Sequence, residues 1–309
     1  MRSVFNDLLE LTTEQVNPET IDIDQLDSQS ILKKMNVEDN RCATAVAQAI
    51  PQIAKAVDLI EQAMRNGGRL FYIGAGTSGR LGVLDASECP PTFGLDPSIV
   101  QGIIAGGPDA LIKSKEGVED QVEQGWVDLK ERNVTSADIV CGIMASGRTP
   151  YVVAALEEAK KNQIKTISIV CNTDTKLKVE ADVNIRLNAG PEVIMGSTRL
   201  KAGTMQKMVL NMLTTATMIR LGKVYQNIMV DLQQNSNKLR ERSKRIIIDL
   251  CGVTYDEAER LLEASGHNVK LAIGMSLTGQ SKDSIQMSLK RNHGRLASVI
   301  NELRVNSLE

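Results

Sequence analysis

The sequence is poor in histidine: two in 309 residues, His267 and His293, both late in the chain. A zinc site built on imidazole, or a Ser-His-Asp triad, would need one of them folded back onto a distant partner. Cysteine is sparse too. The five thiols (Cys42, Cys89, Cys141, Cys171, Cys251) are odd in number, scattered, and form no Cys-x-x-Cys. That pattern excludes a disulfide scaffold and reads as the reduced thiols of a cytoplasmic protein. Neither sign of charge is in excess. Lys and Arg total 36 against 38 Asp and Glu, for a net charge of −2. With no basic face or Lys/Arg-rich run, a nucleic-acid partner and a polybasic membrane contact are both unexpected. No stretch reaches the ~18 uninterrupted apolar residues of a membrane span. Residues 1–17 carry Asp7, Glu10 and Glu14 and lack the apolar centre of a signal peptide. What remains, with 42% hydrophobic residues, is a chain able to bury a core without metal or disulfide staples.

Two textures alternate through the middle of the chain. Short apolar runs at Leu70–Gly74, Val100–Ile104, Ile139–Met144, Thr166–Cys171 and Val183–Leu187 read as strands. Helical spacing runs from Cys42 to Arg65, with Pro51 inside it and Gly67-Gly68 after it. Further helical segments are read at Asp109–Lys130, Pro150–Asn162 and near Lys176. Strands apolar on both faces and alternating with helices predict a five-stranded parallel sheet covered on both sides, an α/β fold. Thr198–Leu221 should be one long helix with a stripe of Met205, Met208, Val209, Met212, Leu213, Ala216 and Ile219, packed in the core and partly against a second subunit. Beyond Asn235 the pattern is short helices broken at Gly252, Gly266 and Gly279, with no strand. The expected layout is an arm over residues 1–40, the α/β domain over 41–225, and a helical domain over 226–309.

Parallel α/β sheets place their ligands beyond the carboxyl ends of the strands. Three strand-to-helix loops stand out there: Gly74-Ala75-Gly76-Thr77-Ser78-Gly79-Arg80, Ser146-Gly147-Arg148-Thr149-Pro150, and Gly196-Ser197-Thr198-Arg199. Each joins glycine to hydroxyls and carries a basic residue at the start of a helix. Glycine lets backbone amides approach an anion, hydroxyls donate, and the helix N-terminus supplies partial positive charge. Pro150 at the first turn keeps that arrangement intact. The trio suits a phosphate and part of a sugar. The first loop also matches the dinucleotide pattern G-x-G-x-x-G, but the acidic residue that pattern wants at the tip of the second strand is missing. Ala105-Gly106-Gly107 stands there instead. A phosphomonoester fits the hydroxyl-rich loop better. The acidic group Glu116, Glu119, Asp120 and Glu123 reads as a solvated helix face, and no metal is expected on it.

The stretch from Phe71 through Gly82 into Leu84-Asp85-Ala86-Ser87-Glu88-Cys89-Pro90-Pro91-Thr92-Phe93-Gly94 resembles the N-acetylmuramic acid 6-phosphate etherases. Ala145–Val152 and Gly196–Thr204 are similar to later stretches of the same family. The glucokinase regulatory protein shares these motifs more loosely, as does the wider sugar isomerase (SIS) superfamily. Gln15-Val16 and Asp27-Ser28-Gln29-Ser30 depart from the family pattern in the arm. The resemblance implies an SIS-type α/β fold, a homodimer, no cofactor, and a lyase that releases D-lactate and N-acetylglucosamine 6-phosphate. It also implies Glu88 and Glu119 as the catalytic acid/base pair. Thr254–Leu262 with Val269–Ile273 resembles a small UBA-like three-helix unit, read as a lid or dimer brace.

An unactivated ether resists direct cleavage, so the substrate's own aldehyde should be used. Its C2 hydrogen is acidic and the lactyl ether lies beta to the carbonyl. Removing that proton and expelling lactate, then adding water at C3, needs a base and an acid near C2–C3. A partly buried carboxylate can serve as either. Phosphate would be held by Ser78, Ser146 and Thr149, with Thr77, Gly147 and Arg148 beside them. Lys201 and Arg199 are open between anion contacts and plain helix surface. A sugar-phosphate sensor and an aldose–ketose isomerase are the competing readings of the same loops. Glu88 in its motif favours the etherase, because a sensor needs no base there.

Overall fold

The computed structural model describes residues 11–172, 180–232 and 237–305. The chain divides into two compact units, residues 1–87 with 97–214 and residues 88–96 with 215–309.

The first unit holds the sheet. Its strands are β1 (Leu70–Gly74), β2 (Val100–Ile104), β3 (Ile139–Met144), β4 (Lys165–Val170) and β5 (Val183–Arg186). They lie in the order β2-β1-β3-β4-β5, all parallel. Every residue of β1 and β3 is buried, as expected of central strands covered on both faces. The five strands fall within a residue or so of the sequence reading, and the α/β fold is the one observed.

The helices of this unit, in chain order, begin with α1 (Ser28–Arg65), α2 (Gly76–Phe93), α3 (Asp109–Ile112), α4 (Gln124–Glu131), α5 (Pro150–Lys161) and α6 (Lys201–Arg220). Helices α2 and α6 each continue into the second unit. On one face of the sheet, Tyr151, Val152, Ala155 and Leu156 of α5 bury against Phe71, Ile73 and Val140. Helix α1 starts at Ser28, well before the Cys42 read from periodicity, with Asp27 capping it through an oxygen 2.8 Å from the Ser30 amide. Its early turns leave Leu32 and Val37 64% and 59% exposed, so no apolar stripe marks them in the sequence. Pro51 does not end the helix: it and Ala47, whose carbonyl it leaves without an amide, lie on the exposed side.

The helix read over Asp109–Lys130 is broken. Gly117 adopts φ +72, a 3-10 turn covers Val118–Asp120, and only α3 and α4 are α-helical. The helix expected near Lys176 lies outside the described residues.

The second unit carries a strand pair that the sequence reading lacks, β6 (Val224–Tyr225) against β7 (Ile228–Met229). Two residues per strand are too few to show an alternating pattern. Helices α7 (Asn237–Cys251), α8 (Tyr255–Ala264), α9 (Val269–Thr278), α10 (Lys282–Arg291) and α11 (Leu296–Val305) follow. Val230, Ile246, Ile247, Ala258, Leu262, Ile273 and Leu296 form its core. Thr254 and Glu257 make a reciprocal capping box at the start of α8. Among the described residues no helix is long and apolar enough to cross a membrane.

Candidate active site

Strand order 2-1-3-4-5 reverses direction between β1 and β3, and such a switch point opens a crevice at the carboxyl ends of those two strands. Gly74 of β1 is paired with Ile143 of β3, so the loops leaving the two strands emerge side by side. They are the loops that carry Thr77 and Ser78, and Ser146 through Thr149.

The first loop turns almost at once into α2. A Cβ on Gly74 would come within 2.7 Å of the Gly79 amide, and one on Gly79 within 2.7 Å of the Gly74 carbonyl oxygen. The two glycines of the G-x-G-x-x-G pattern are therefore a packing requirement: they let the first helical turn sit directly on the strand end. Thr77 and Ser78 occupy that first turn. Ser78 is buried, and its Oγ donates to Gln206 Oε1 on α6 at 3.0 Å. Arg80 turns away, its Nε donating to the Leu111 carbonyl at 3.1 Å.

In the second loop Gly147 has φ +76, and the Arg148 amide donates to Ser146 Oγ at 3.2 Å. Thr149 is the N-cap residue of α5, yet its side chain makes no capping bond, and Pro150 follows at the first helical position. The Thr149 hydroxyl is thus not spent on its own helix. Two helix N-termini, one with hydroxyls in its first turn and one with hydroxyls at and before its N-cap, lie at the carboxyl ends of neighbouring strands.

The third loop does not join them as expected. The amides of Lys201 and Ala202, which open α6, donate to the carboxylate of buried Glu192 at 2.8 and 2.9 Å. This helix end already has its anion. Burial pushes the Glu192 carboxyl above its ordinary range, against the pull of those two amides. Lys201 is not a ligand-facing cation either. It is 1% exposed, with Nζ 2.5 Å from Glu38 Oε2 and 2.8 Å from the Ala189 carbonyl. Arg199 is exposed.

Residues 11–26 lie along this same sheet edge. The Thr12 amide donates to Asn172 Oδ1 at 3.2 Å, just past β4, and the Gly196 amide donates to the Thr13 carbonyl at 3.0 Å. Asn17 donates to Glu38 and to the Pro191 carbonyl, and Thr20 to the Val193 carbonyl.

Glu88 lies ten residues beyond Ser78 on α2, exposed, next to buried Cys89. Pro90 and Pro91, inside the helix, offer no amide to the Ala86 and Ser87 carbonyls. Glu119 is not on a helix face but on the 3-10 turn Val118–Asp120. Val118 fixes that turn on the sheet core, and Lys115 Nζ donates to the Gly106 carbonyl at 2.8 Å just past β2. Glu119 therefore stands at the carboxyl edge of the sheet, exposed like Glu116 and Asp120. The partial burial expected for both candidate carboxylates is absent from the single chain.

Asp85, one turn before Glu88, fastens α2. It accepts from Tyr72 (3.1 Å), Asn211 (2.6 Å) and Thr214 (3.3 Å) while 6% exposed. Burial raises its carboxyl above the ordinary range despite these three donors and the charge of Lys207. Asp85→Ala should cost about 2–4 kcal/mol, read as an earlier midpoint in urea, because it withdraws the acceptor from Asn211 and Thr214.

Residues 52–160 match the glucokinase regulatory protein N-terminal SIS domain, and residues 127–216 match the SIS domain. A solved phosphoheptose isomerase from Neisseria gonorrhoeae aligns over 62% of this chain and 98% of its own, at TM-score 0.48 and 16% identity. The N-acetylmuramic acid 6-phosphate etherase of Clostridium beijerinckii is 49% identical over 96% of this chain and 97% of its own length. That of Caldanaerobacter subterraneus subsp. tengcongensis is 52% identical over 95% and 96%. This chain belongs to the N-acetylmuramic acid 6-phosphate etherase family. For an etherase the hydroxyl-lined helix ends at the switch point take on a specific meaning, and the dinucleotide reading of the first loop falls away.

Gln206 and Glu192 escaped the sequence reading. Gln206 was visible as a polar residue on an apolar row, four positions from both Ala202 and Leu210. The buried row on α6 is Ala202, Met205, Gln206, Val209, Leu210 and Leu213, whereas Met212 and Ile219 are 36% and 50% exposed. Glu192, nine residues before the helix it caps, follows no local spacing rule.

Proposed function

We propose that the chain cleaves the D-lactyl ether of N-acetylmuramic acid 6-phosphate, yielding N-acetylglucosamine 6-phosphate and D-lactate. The carrying observation is identity near one half over nearly the whole length with proteins of that name. The switch-point crevice supports the same reading. Thr77 and Ser78 at the start of α2, and Ser146, Gly147, Arg148 and Thr149 at the start of α5, hold the phosphate. That binding, remote from C2–C3, fixes the open-chain sugar for elimination.

A carboxylate takes the C2 proton, the C3–O bond breaks, and lactate leaves with the ether oxygen. Water then adds to the double bond, its hydroxyl at C3 and a proton at C2. No electron is gained or lost and no cofactor is required. Glu88 and Glu119 share the acid and base roles. Both are exposed in one chain, so their desolvation comes from bound sugar and from a second copy. The side of α6 that bears Met208, Met212, Ala216 and Ile219 suits such a homodimer. The sheet-bearing unit serves as the sugar-phosphate domain, with the described segment before α1 as its arm and helices α7–α11 as a brace. The boundaries read at residues 40 and 225 thereby give way to the start of α1 at Ser28 and the division at residues 214 and 215. A cytoplasmic place in amino-sugar recycling goes with this substrate and with the reduced thiols.

In H₂¹⁸O the purified protein should release unlabelled D-lactate and place ¹⁸O at C3 of the sugar, located by fragment-ion mass spectrometry. In D₂O the product should carry deuterium at C2. Label in lactate would mean that the lactyl carbon–oxygen bond had broken, and would overturn elimination. Binding of the sugar phosphate without any lactate would favour a sensor.

A further inference from the structure

We infer that Gln206 is a positioning residue that turns the Ser78 hydroxyl toward the substrate's phosphate. The inference rests on the sugar-phosphate reading above. Ser78 Oγ lies 3.0 Å from Gln206 Oε1, and the two residues are 8% and 1% exposed, so water does not mediate between them at the surface. In this arrangement the serine spends its one proton on the amide oxygen. A phosphate dianion accepts hydrogen bonds only, so Ser78 can hold it only by donating that same proton.

The Gln206 amide resolves the conflict. Its Nε2 is buried, meets no oxygen acceptor and faces only the sulfur of Cys171, a poor partner for an amide. Rotating the amide by half a turn exchanges its oxygen and nitrogen at nearly the same positions. Nε2 then donates to Ser78 Oγ, and the serine proton is released toward the N-terminus of α2. Nε2 exchanges a sulfur neighbour for a hydroxyl oxygen, and the anion gains a donor on top of the helix-end amides. The other neighbour of the amide is the Cys171 thiol, which burial pushes well above its ordinary pKa and so keeps protonated. Its Sγ donates to the Ala202 carbonyl at 3.6 Å, a weak bond that the thiol gives up when it turns its proton to the flipped Oε1. The empty site and the phosphate-bound site are thereby two settings of one buried amide.

The test is a double-mutant cycle on N-acetylmuramic acid 6-phosphate turnover. Gln206→Leu should raise KM about fourfold with kcat within roughly twofold, because the serine keeps its proton for the phosphate but loses the donor that orients the hydroxyl. In a Ser78→Ala background the same substitution should change KM by less than about twofold, because the group it acts through is gone. An equal KM shift in both backgrounds, or no shift in either, would overturn the inference. If Gln206→Leu does not fold, Gln206→Glu keeps the size and the acceptor but cannot donate when ionised. A higher KM is expected there, and an unchanged KM overturns the proposal. Absence of lactate from the wild-type chain would instead sink the functional reading, so the two failures are distinct.

Discussion

Glu88→Gln should release D-lactate from N-acetylmuramic acid 6-phosphate roughly 10²–10⁴ times more slowly than the wild-type chain, the range that a positioned acid or base contributes. The amide keeps the shape of the carboxylate but can neither take the C2 proton nor return one to the leaving lactate. Because Glu88 is exposed on α2, thermal stability should stay within about 0.5 kcal/mol of wild type, and lost rate then reads as lost chemistry. Glu119→Gln belongs in the same experiment, with Asp120→Asn beside it, since the turn Val118–Asp120 presents both carboxylates. Hydrogen exchange at C2 in D₂O assigns the roles. A variant that loses exchange has lost the base, and one that exchanges but releases no lactate has lost the acid. Full activity in Glu88→Gln would remove it from the mechanism.

Lys201→Met should be the most destabilising single substitution in the sheet-bearing unit, by about 3–5 kcal/mol, because it leaves a carboxylate buried without its cation. Lys201 and Glu38 are each 1% exposed, joined at 2.5 Å. Asn17 adds a donor to Glu38 at 3.0 Å, and Arg41 stands 3.2 Å from its other oxygen. Burial pushes the Glu38 carboxyl up, but the hydrogen bonds from Lys201 and Asn17 and the charges of Lys201 and Arg41 outweigh it, holding it below its ordinary value of 4.5. The sign follows: the pair stabilises the fold above about pH 4.5, and that contribution fades as pH falls through the depressed value. In Lys201→Met the carboxyl rises, with only Asn17 and Arg41 left to oppose burial, so the loss of stability on lowering the pH through about 4–5 should shrink. Scanning calorimetry at pH 4 and pH 7 reads both effects, and adding Glu38→Gln should restore part of the loss. A melting point within about 2 °C of wild type at pH 7 would show that the pair is not an uncompensated burial on its own.

What could be read from the residues depended on how local the cause was. The five strands were visible because a parallel strand covered on both faces must be a short apolar run. The loops carrying Ser78 and Ser146–Thr149 were visible because glycine, hydroxyl and helix start are neighbours in sequence. Helix α1 before Cys42 was not, since its one buried residue there is the charged Glu38 and its apolar Leu32 and Val37 are exposed, so no apolar stripe forms. The Gly196–Arg199 loop looked like the other two, and its difference lies in Glu192, whose carboxylate reaches the α6 amides through the fold. Lys201 stayed open between an anion contact and plain helix surface for the same reason: its partner Glu38 is 163 residues away. The exposed state of Glu88 and Glu119 belongs to the single chain, and no motif states it.

The bonds that Thr12, Thr13, Asn17 and Thr20 make to residues 172–196 also set a timetable. On the ribosome the opening segment emerges first, yet every acceptor and donor it uses past β4 is synthesised some 160 to 180 residues later. At about 5–20 residues per second that is a wait of roughly 10–35 seconds. During it the segment has only its near partners on α1, Glu38 for Asn17 and Lys34 for Glu19 and Asp22. Residues 12–20 thus close onto the sheet only after β5 and the loop through Gly196 have been made, just ahead of the α6 residue Lys201 that pairs with Glu38.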